Sequence, residues 1–443
     1  MDGGRMNALP QAFFDRMAAL LVEEYPAFLA SYDAPYARGI RFNPLKPCAA
    51  WPPDVEDAVP WEPSGRYLSL NSPAGKLIQH EAGAYYLQEP SAMLPAAILD
   101  PRPGERVLDL CAAPGGKSTQ LGARMAGQGL LVCNEPVLKR AQVLSQNMAR
   151  MGVTNALVVS AMPAQLALRW PEAFDAVQVD APCSGEGMFR RHPETRDEWT
   201  PESPAGCAKR QAEILDCAAR LVRPGGRIVY STCTLNPTEN EDTVNAFCER
   251  HPDFSPQAFH LSGADAPSGM LTCYPHRMRG EGHFAALLIR RDTGRRTDLP
   301  PDHSLRQPDK AQRRALADFL PPAPEPTALL GDTLVHLPDC PDLRGLKALR
   351  VGLHLGTLTG RVFKPDHAWA VSATPPDVPR VTLSEGQARA YLAGETLPAD
   401  GRGWALAAYE GLPLGWGKIS DGVMKNHYPK ELRRMLSFEA ENL

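Results

Sequence analysis

The chain has no C-x-x-C pair: its ten cysteines stand apart at positions 48, 111, 133, 183, 207, 217, 233, 248, 273 and 340. Structural zinc sites show such close pairs, and disulfide scaffolds are shorter and denser in cysteine, so neither is expected and no metal is. Also missing is any apolar run near the ~20 residues of a bilayer span. The start, MDGGRMNALPQAFF, lacks the basic cluster and apolar stretch of a secretion signal. A cytoplasmic protein with no membrane partner is the expectation. Nor is there an excess of charge of one sign: 47 Lys+Arg against 51 Asp+Glu leave a net −4, so any nucleic-acid surface must be local. No internal repeat or long low-complexity tract occurs.

What remains is an ordinary globular composition, 43% hydrophobic and 22% charged over 443 residues, long enough for several domains. The 44 prolines punctuate it. Pro44–Pro63 reads as a turn-rich stretch, and PPAPEP (Pro321–Pro326) as a linker. Before the first cluster, Pro10 to Ala30 places Phe13, Phe14, Met17, Leu20 and Leu21 at helical spacing. From Gly104, short apolar runs alternate with helix-compatible ones. RVLDLCA (Arg106–Ala112), LLVCNE (Leu130–Glu135), NALVVSA (Asn155–Ala161), FDAVQVD (Phe174–Asp180) and GRIVYSTC (Gly226–Cys233) read as buried strands; Lys117–Met125, Leu138–Met151 and Cys207–Val222 read as helices. This alternation predicts an α/β fold, a parallel sheet covered by helices on both faces. Met270–Tyr274 and His283–Arg291 suggest an antiparallel pair at its edge, and Gly403–Gly411 a strand of a smaller C-terminal module.

The first strand runs into VLDLCAAPGGKSTQL. Ala112, Ala113, Gly115 and Gly116 let a ligand approach the backbone, and in an open parallel sheet ligands sit beyond the carboxyl ends of the strands. G-x-G-x-x-G is absent. CAAPGGKS matches the end of a phosphate-binding loop but puts Cys111 where the first glycine belongs. Glu135, after the second strand, stands where an acid accepts ribose hydroxyls, which fits a nucleoside cofactor without phosphates such as S-adenosyl-L-methionine. A phosphate-loop NTPase remains an alternative.

The fourth strand ends in DAPCSGEGMFR and the fifth in YSTCTLNPTENE. If the two are neighbours, about 4.8 Å apart, Cys183 and Cys233 converge on one crevice with Asp180 beside them. A thiolate and a methyl donor together suit one chemistry. Carbon 5 of a pyrimidine is a poor nucleophile; thiolate addition at carbon 6 makes an enamine that can take a methyl group, after which the carbon-5 proton leaves and the thiol is eliminated.

CAAPGGK, NEP, DAPCSG and STC, in this order, resemble the Sun-type RNA cytosine-5 methyltransferases related to eukaryotic nucleolar proteins. LPQAFFDRM, YYLQEPSAM and GWGKISDGVMKNHYPKELR extend the resemblance to the RsmF-type branch, whose members methylate small-subunit (16S) ribosomal RNA. The resemblance implies a Rossmann-like methyltransferase sheet in residues 76–292, preceded by an RNA-binding α+β extension (1–75). A basic, proline-rich linker (293–330) and a C-terminal RNA-binding region (331–443), ending in a PUA-like module from about 380, would follow. It implies Cys233 as nucleophile, Cys183 as the thiol that aids product release, and Asp180 between cofactor and base. Cys111, Ala112, Ala113, Pro114, Gly115, Gly116 and Lys117 would cradle the methionine part of S-adenosyl-L-methionine, and Glu135 its ribose. One departure stands out: Met162 occupies the place where many members carry an acid toward adenine. A catalytically inactive RNA-binding assembly factor is the other alternative.

A base methylated at carbon 5 must be unpaired or flipped out. Candidate phosphate contacts are Arg190, Arg191 and His192, then Arg290, Arg291, Arg295 and Arg296. In the tail, Lys418, Lys425, His427, Tyr428, Lys430, Arg433 and Arg434 interleave donors with rings, a pattern that suits unstacked RNA bases.

Overall fold

The computed structural model describes residues 9–48, 52–294 and 298–433. Its centre is a nine-stranded sheet. Five parallel strands, β1 (Arg106–Asp109), β2 (Leu130–Asn134), β3 (Ala156–Ser160), β4 (Phe174–Asp180) and β5 (Val222–Thr232), lie in the order β3-β2-β1-β4-β5. Helices α1 (Gly116–Met125), α2 (Leu138–Arg150), α3 (Pro163–Arg169) and α4 (Ser203–Leu221) make the connections, and α5 (Glu241–Arg250) follows β5. Three antiparallel-paired strands extend the β5 side: β6 (Phe254–Pro256), β7 (Met270–Cys273) and β8 (His283–Arg290), with β8 against β5 and both others against β8.

The continuous apolar runs fold this way because both faces of the sheet are covered. Val132, Leu157 and Val177 pack toward Trp170, Phe174 and Leu215 on one side. Val107, Leu131 and Val158 pack toward Leu94, Leu121, Leu144 and Met148 on the other. Fully burying each such side chain is worth about 1.5–3 kcal/mol, so the sheet is the stable frame. Strand order reverses between β1 and β4, whose carboxyl ends therefore part to leave a crevice.

The N-terminal helical stretch is broken. Gln11–Leu21 ends at Val22, in a left-handed conformation (φ 45°), and a second helix spans Tyr25–Asp33. Pro26 explains the restart: it has no N–H to continue a ladder and is at home in a first helical turn. Phe13, Met17 and Phe28 pack on Phe189 and Trp199, while Leu20 faces solvent. Four antiparallel strands, Arg38–Phe42, Val55–Ala58, Gly65–Leu68 and Tyr85–Leu87, complete the extension.

One expectation about the C-terminal third needs correction. Residues 293–330 are more than a linker: Asp309 and Gln312 form a reciprocal capping box at the start of a helix over Lys310–Phe319, whose Leu316 is buried. The described part of residues 331–443 reaches back to the sheet domain. Lys347–Val351 (β9) joins the central sheet antiparallel to β3. It covers an edge that would otherwise expose unpaired backbone groups. Trp170 reinforces the joint by donating its Nε1–H to Asp342 O at 3.0 Å. The last module is a five-stranded sheet in the order Arg380–Thr382, Gly403–Tyr409, Leu412–Ser420, Val423–Asn426, Leu397–Pro398.

Candidate active site

Asp180 pairs with Ser231 in the β4–β5 register, so the two turns that follow these strands leave the sheet side by side. Cys183 Sγ and Cys233 Sγ lie 3.3 Å apart. The backbone fixes this approach: Gly187 N donates to Cys233 O at 2.9 Å. Gly185, at φ +73°, turns the chain back toward β5. Buried Glu239 holds the Cys183 turn from below, accepting Ser184 N at 3.0 Å and Gln211 Nε2 at 2.9 Å, with the Ser184 hydroxyl as a further donor. Its burial raises that carboxyl above the usual range. The hydrogen bond with Cys233 and burial push the Cys183 thiol well up, so it stays protonated at neutral pH and can donate to the sulfur beside it.

Asp180 faces the same crevice. Its Oδ1 accepts from Ser231 Oγ at 2.8 Å, and its Oδ2 pairs with Lys117 Nζ at 2.8 Å. The carboxylate is 31% exposed, whereas the Lys117 side chain is 13% exposed. Burial opposes the charge on Lys117, but Asp180 outweighs it and raises the ammonium above its ordinary value. Asp180 is thus held as an oriented carboxylate with one side open to a ligand.

The glycine turn lies across the crevice. Cys111 follows β1, its thiol raised by burial and by the acids around it. Ala112 N donates to Asn134 O, Ala113 O accepts from Arg140 Nη2, and Pro114 O accepts from Asn147 Nδ2. Gly115 caps α1 at φ +115°, where a side chain would be strained and its Cβ would come 3.2 Å from Leu144. Ser118 Oγ donates to Asp109 Oδ2 at 2.6 Å, which draws the start of α1 onto the end of β1; burial raises Asp109 to about 6. Glu135 is 3% exposed after β2, its Oε1 accepting Val137 N and its Oε2 3.3 Å from Arg140 Nη1. Met162 is 60% exposed at the end of β3.

Several groups in this arrangement had no local sequence signal. Arg41, fully buried in the N-terminal extension, donates from Nη2 to Gly116 O (3.1 Å) and Thr119 Oγ1 (2.8 Å), and from Nε to Gln88 Oε1 (2.9 Å). It clamps the first turn of α1. Burial lowers its guanidinium to about 10, which still leaves it charged at neutral pH. Glu239 sits inside a run with no pattern of its own, and only the fold brings it under Cys183.

Other expected residues do different work. Arg190 is no phosphate contact: its guanidinium is bonded to Glu281 Oε1 and Oε2, Ser31 O and Gly280 O, tying the extension to the sheet domain. Arg191 lies over the Tyr36 ring at 5.6 Å, and His192 is 3.0 Å from Glu194. Arg290 is bonded to Asp253, Glu172 and Val222 O, which leaves Arg291 as the exposed member of that pair. Arg295, Arg296 and Arg434 fall outside the described residues. In the tail, Tyr428 is buried against His367 and Tyr391 and offers no stacking face, and Arg433 donates to Asn426 Oδ1 and Tyr428 O. Lys425 and Lys430 are exposed, and Lys418 lies over the Trp404 ring at 5.6 Å. Among the described residues no His/Cys/Asp/Glu group could hold a metal, and no helix is long and apolar enough to cross a membrane.

A β3-β2-β1-β4-β5 parallel core with a ligand turn at its switch point defines a Rossmann-like methyltransferase fold. The segment 96–289 matches the family described as 16S rRNA methyltransferase RsmB/F. Residues 9–90, 314–372 and 378–434 match, in turn, the N-terminal domain, the first C-terminal domain and the PUA domain of RsmF methyltransferases. Curated relatives called ribosomal RNA small subunit methyltransferase F, from Klebsiella pneumoniae and Cronobacter sakazakii, are 32% and 33% identical, each over 96% of both chains. A crystal structure of a methyltransferase homolog protein from Pyrococcus horikoshii superposes with a TM-score of 0.55 at 26% identity, covering 65% of this chain and 96% of that one. The chain belongs to the ribosomal RNA small subunit methyltransferase F family. The NTPase alternative has no support beside this membership.

Proposed function

We propose that the chain methylates carbon 5 of a cytosine in small-subunit ribosomal RNA, using S-adenosyl-L-methionine and a transient bond between Cys233 and carbon 6 of the base. The observation that carries this reading is the approach of Cys233 and Cys183 to 3.3 Å beside an oriented, partly open Asp180.

The residues across the crevice fit the cofactor chemically. Small side chains and a left-handed glycine keep the turn after β1 low, and the buried carboxylate of Glu135 can accept ribose hydroxyls. Residues 111–117 would hold the methionine part, and the exposed apolar Met162 would offer van der Waals contact toward adenine. Bound there, the cofactor supplies an electrophilic methyl group.

The chain's own groups handle the base. Cys233 sulfur bonds to carbon 6, and the electron pair of the 5,6 double bond moves to carbon 5. Asp180 orients the ring by accepting from its exocyclic amine. After carbon 5 has been methylated, its proton passes to solvent, the electron pair left at carbon 5 re-forms the double bond, and the carbon–sulfur bond breaks with Cys233 leaving as thiolate. Cys183, a protonated thiol in hydrogen-bond reach, assists departure of the Cys233 sulfur.

Incubation of the chain with tritiated S-adenosylmethionine and small-subunit RNA, read by bisulfite sequencing, should give label at bisulfite-resistant cytosines. Label that stays bisulfite-sensitive, or binding of RNA with no label, would turn the reading toward another position of methylation or an inactive assembly factor. Arg41→Met should remove the clamp on α1 without touching the crevice. Leaving the Gly116 carbonyl and Thr119 short of a donor costs about 1–3 kcal/mol, read as a lower urea midpoint. S-adenosylhomocysteine affinity by calorimetry should fall by roughly tenfold for every 1.4 kcal/mol that this loosening takes from the bound state. Unchanged affinity would separate the clamp from the ligand turn.

A further inference from the structure

On the far side of α2 from β2, a second cavity of about 800 Å³ opens where α2, the segment 350–368 and the last described segment, 426–433, meet. Its lining mixes apolar and polar surface and is rich in cations. Arg350 is 6% exposed. Its Nε donates to Ser145 O at 3.2 Å, and among the described residues it makes no ion pair. Burial pulls the guanidinium down, and Asp366 acts on it only through space, the Asp366 Oδ1 being held by Ala368 N. Lys364 and Lys430 line the cavity too; both are exposed and, among the described residues, unpaired. His354 Nε2 accepts Val351 N at 3.4 Å, so its neutral ring keeps the proton on Nδ1. Burial and Arg350 draw that imidazole to about 3. The acids in the lining are Asp366, Glu81, which pairs with His80, and Glu431.

A buried guanidinium with no direct ion pair is costly. A polyoxygen anion satisfies its fork geometry, and lysines serve the same anion as point charges. The volume is large for a free phosphate ion and suits a nucleotide-sized group. The walls come from the sheet domain and both C-terminal modules, so one bound strand would bridge all three.

We propose that this cavity binds a phosphodiester segment of the RNA strand, with Arg350 at its base and Lys364 and Lys430 at its mouth. This rests on reading the chain as an enzyme of RNA. It adds a site remote from the thiol crevice that anchors the strand independently of base chemistry.

The test is anisotropy of a fluorescein-labelled single-stranded RNA with the full chain across a salt series. Lys364→Gln and Arg350→Gln should each weaken binding roughly three- to tenfold and flatten the slope of log K against log salt by about 0.7. Arg314→Gln, at an exposed position outside the cavity, should change neither. Lys364 is exposed, so its variant folds; a urea midpoint checks the Arg350 variant. Unchanged affinity and slope in Lys364→Gln overturn the proposal. Saturable binding of inorganic phosphate that Arg350→Gln removes, with RNA affinity intact, overturns it in favour of a small-anion site. If the unaltered chain binds no RNA, the proposed function falls with it.

Discussion

Replacing Cys233 by alanine is expected to lower methyl transfer by at least about 10³-fold, the scale seen when a covalent nucleophile is removed. S-adenosylhomocysteine affinity should stay within about twofold of the unaltered chain on calorimetry, because an equal affinity for ligand shows that only the chemical step was lost. The geometry separates the two readouts. Cys233 stands just beyond β5, its carbonyl already taken by Gly187 N, so the backbone keeps its course when the sulfur is removed. The ligand turn belongs to β1 and α1, held by Arg41, Asn147 and Asp109 rather than by either thiol. Turnover at the normal rate would remove Cys233 from the reaction.

Cys183→Ala has a different expected signature. Glu239 holds the turn through Ser184 and Gln211 reaches Pro182 O, none of which needs the Cys183 sulfur, so the variant should fold with its turn in place. It loses the protonated thiol 3.3 Å from the Cys233 sulfur. The first bond should still form, whereas departure of the methylated base should slow. The fraction of chain that carries RNA through a denaturing gel should then rise by at least about tenfold, the effect of removing one well-placed proton donor. Loss of every adduct would exchange the roles of the two cysteines.

Much of this centre was legible in the sequence because local patterns determine it. Strands buried on both faces must be apolar throughout, so five runs could be read as a parallel sheet, and two cysteines at matching strand ends must meet once β4 and β5 are neighbours. Charge was less legible. Arg190 looks like a phosphate contact beside Arg191 and His192, yet its partner Glu281 lies far along the chain, and only tertiary structure joins them. Tyr428 looks like a stacking ring, but the sequence does not say that His367 and Tyr391 enclose it. The same holds for Arg41, two of whose acceptors belong to the sheet domain, and for β9, a five-residue strand too short for its period to announce which sheet it will join. Pattern reads what a residue needs from its neighbours in sequence; it does not read partners that folding brings from afar.

The central claim is tested most directly by trapping the unaltered chain with S-adenosylmethionine on RNA containing 5-fluorocytidine. Fluorine at carbon 5 cannot leave as a proton does, so the sulfur–carbon bond persists. Trypsin should release a peptide running from Ile228 to Arg250, and fragmentation should place the nucleotide on Cys233 rather than on Cys248. A nucleotide on Cys183, within the peptide from Trp170 to Arg190, or methylation of cytosine-containing RNA with no adduct on any cysteine of the fluorinated RNA complex, would contradict the account.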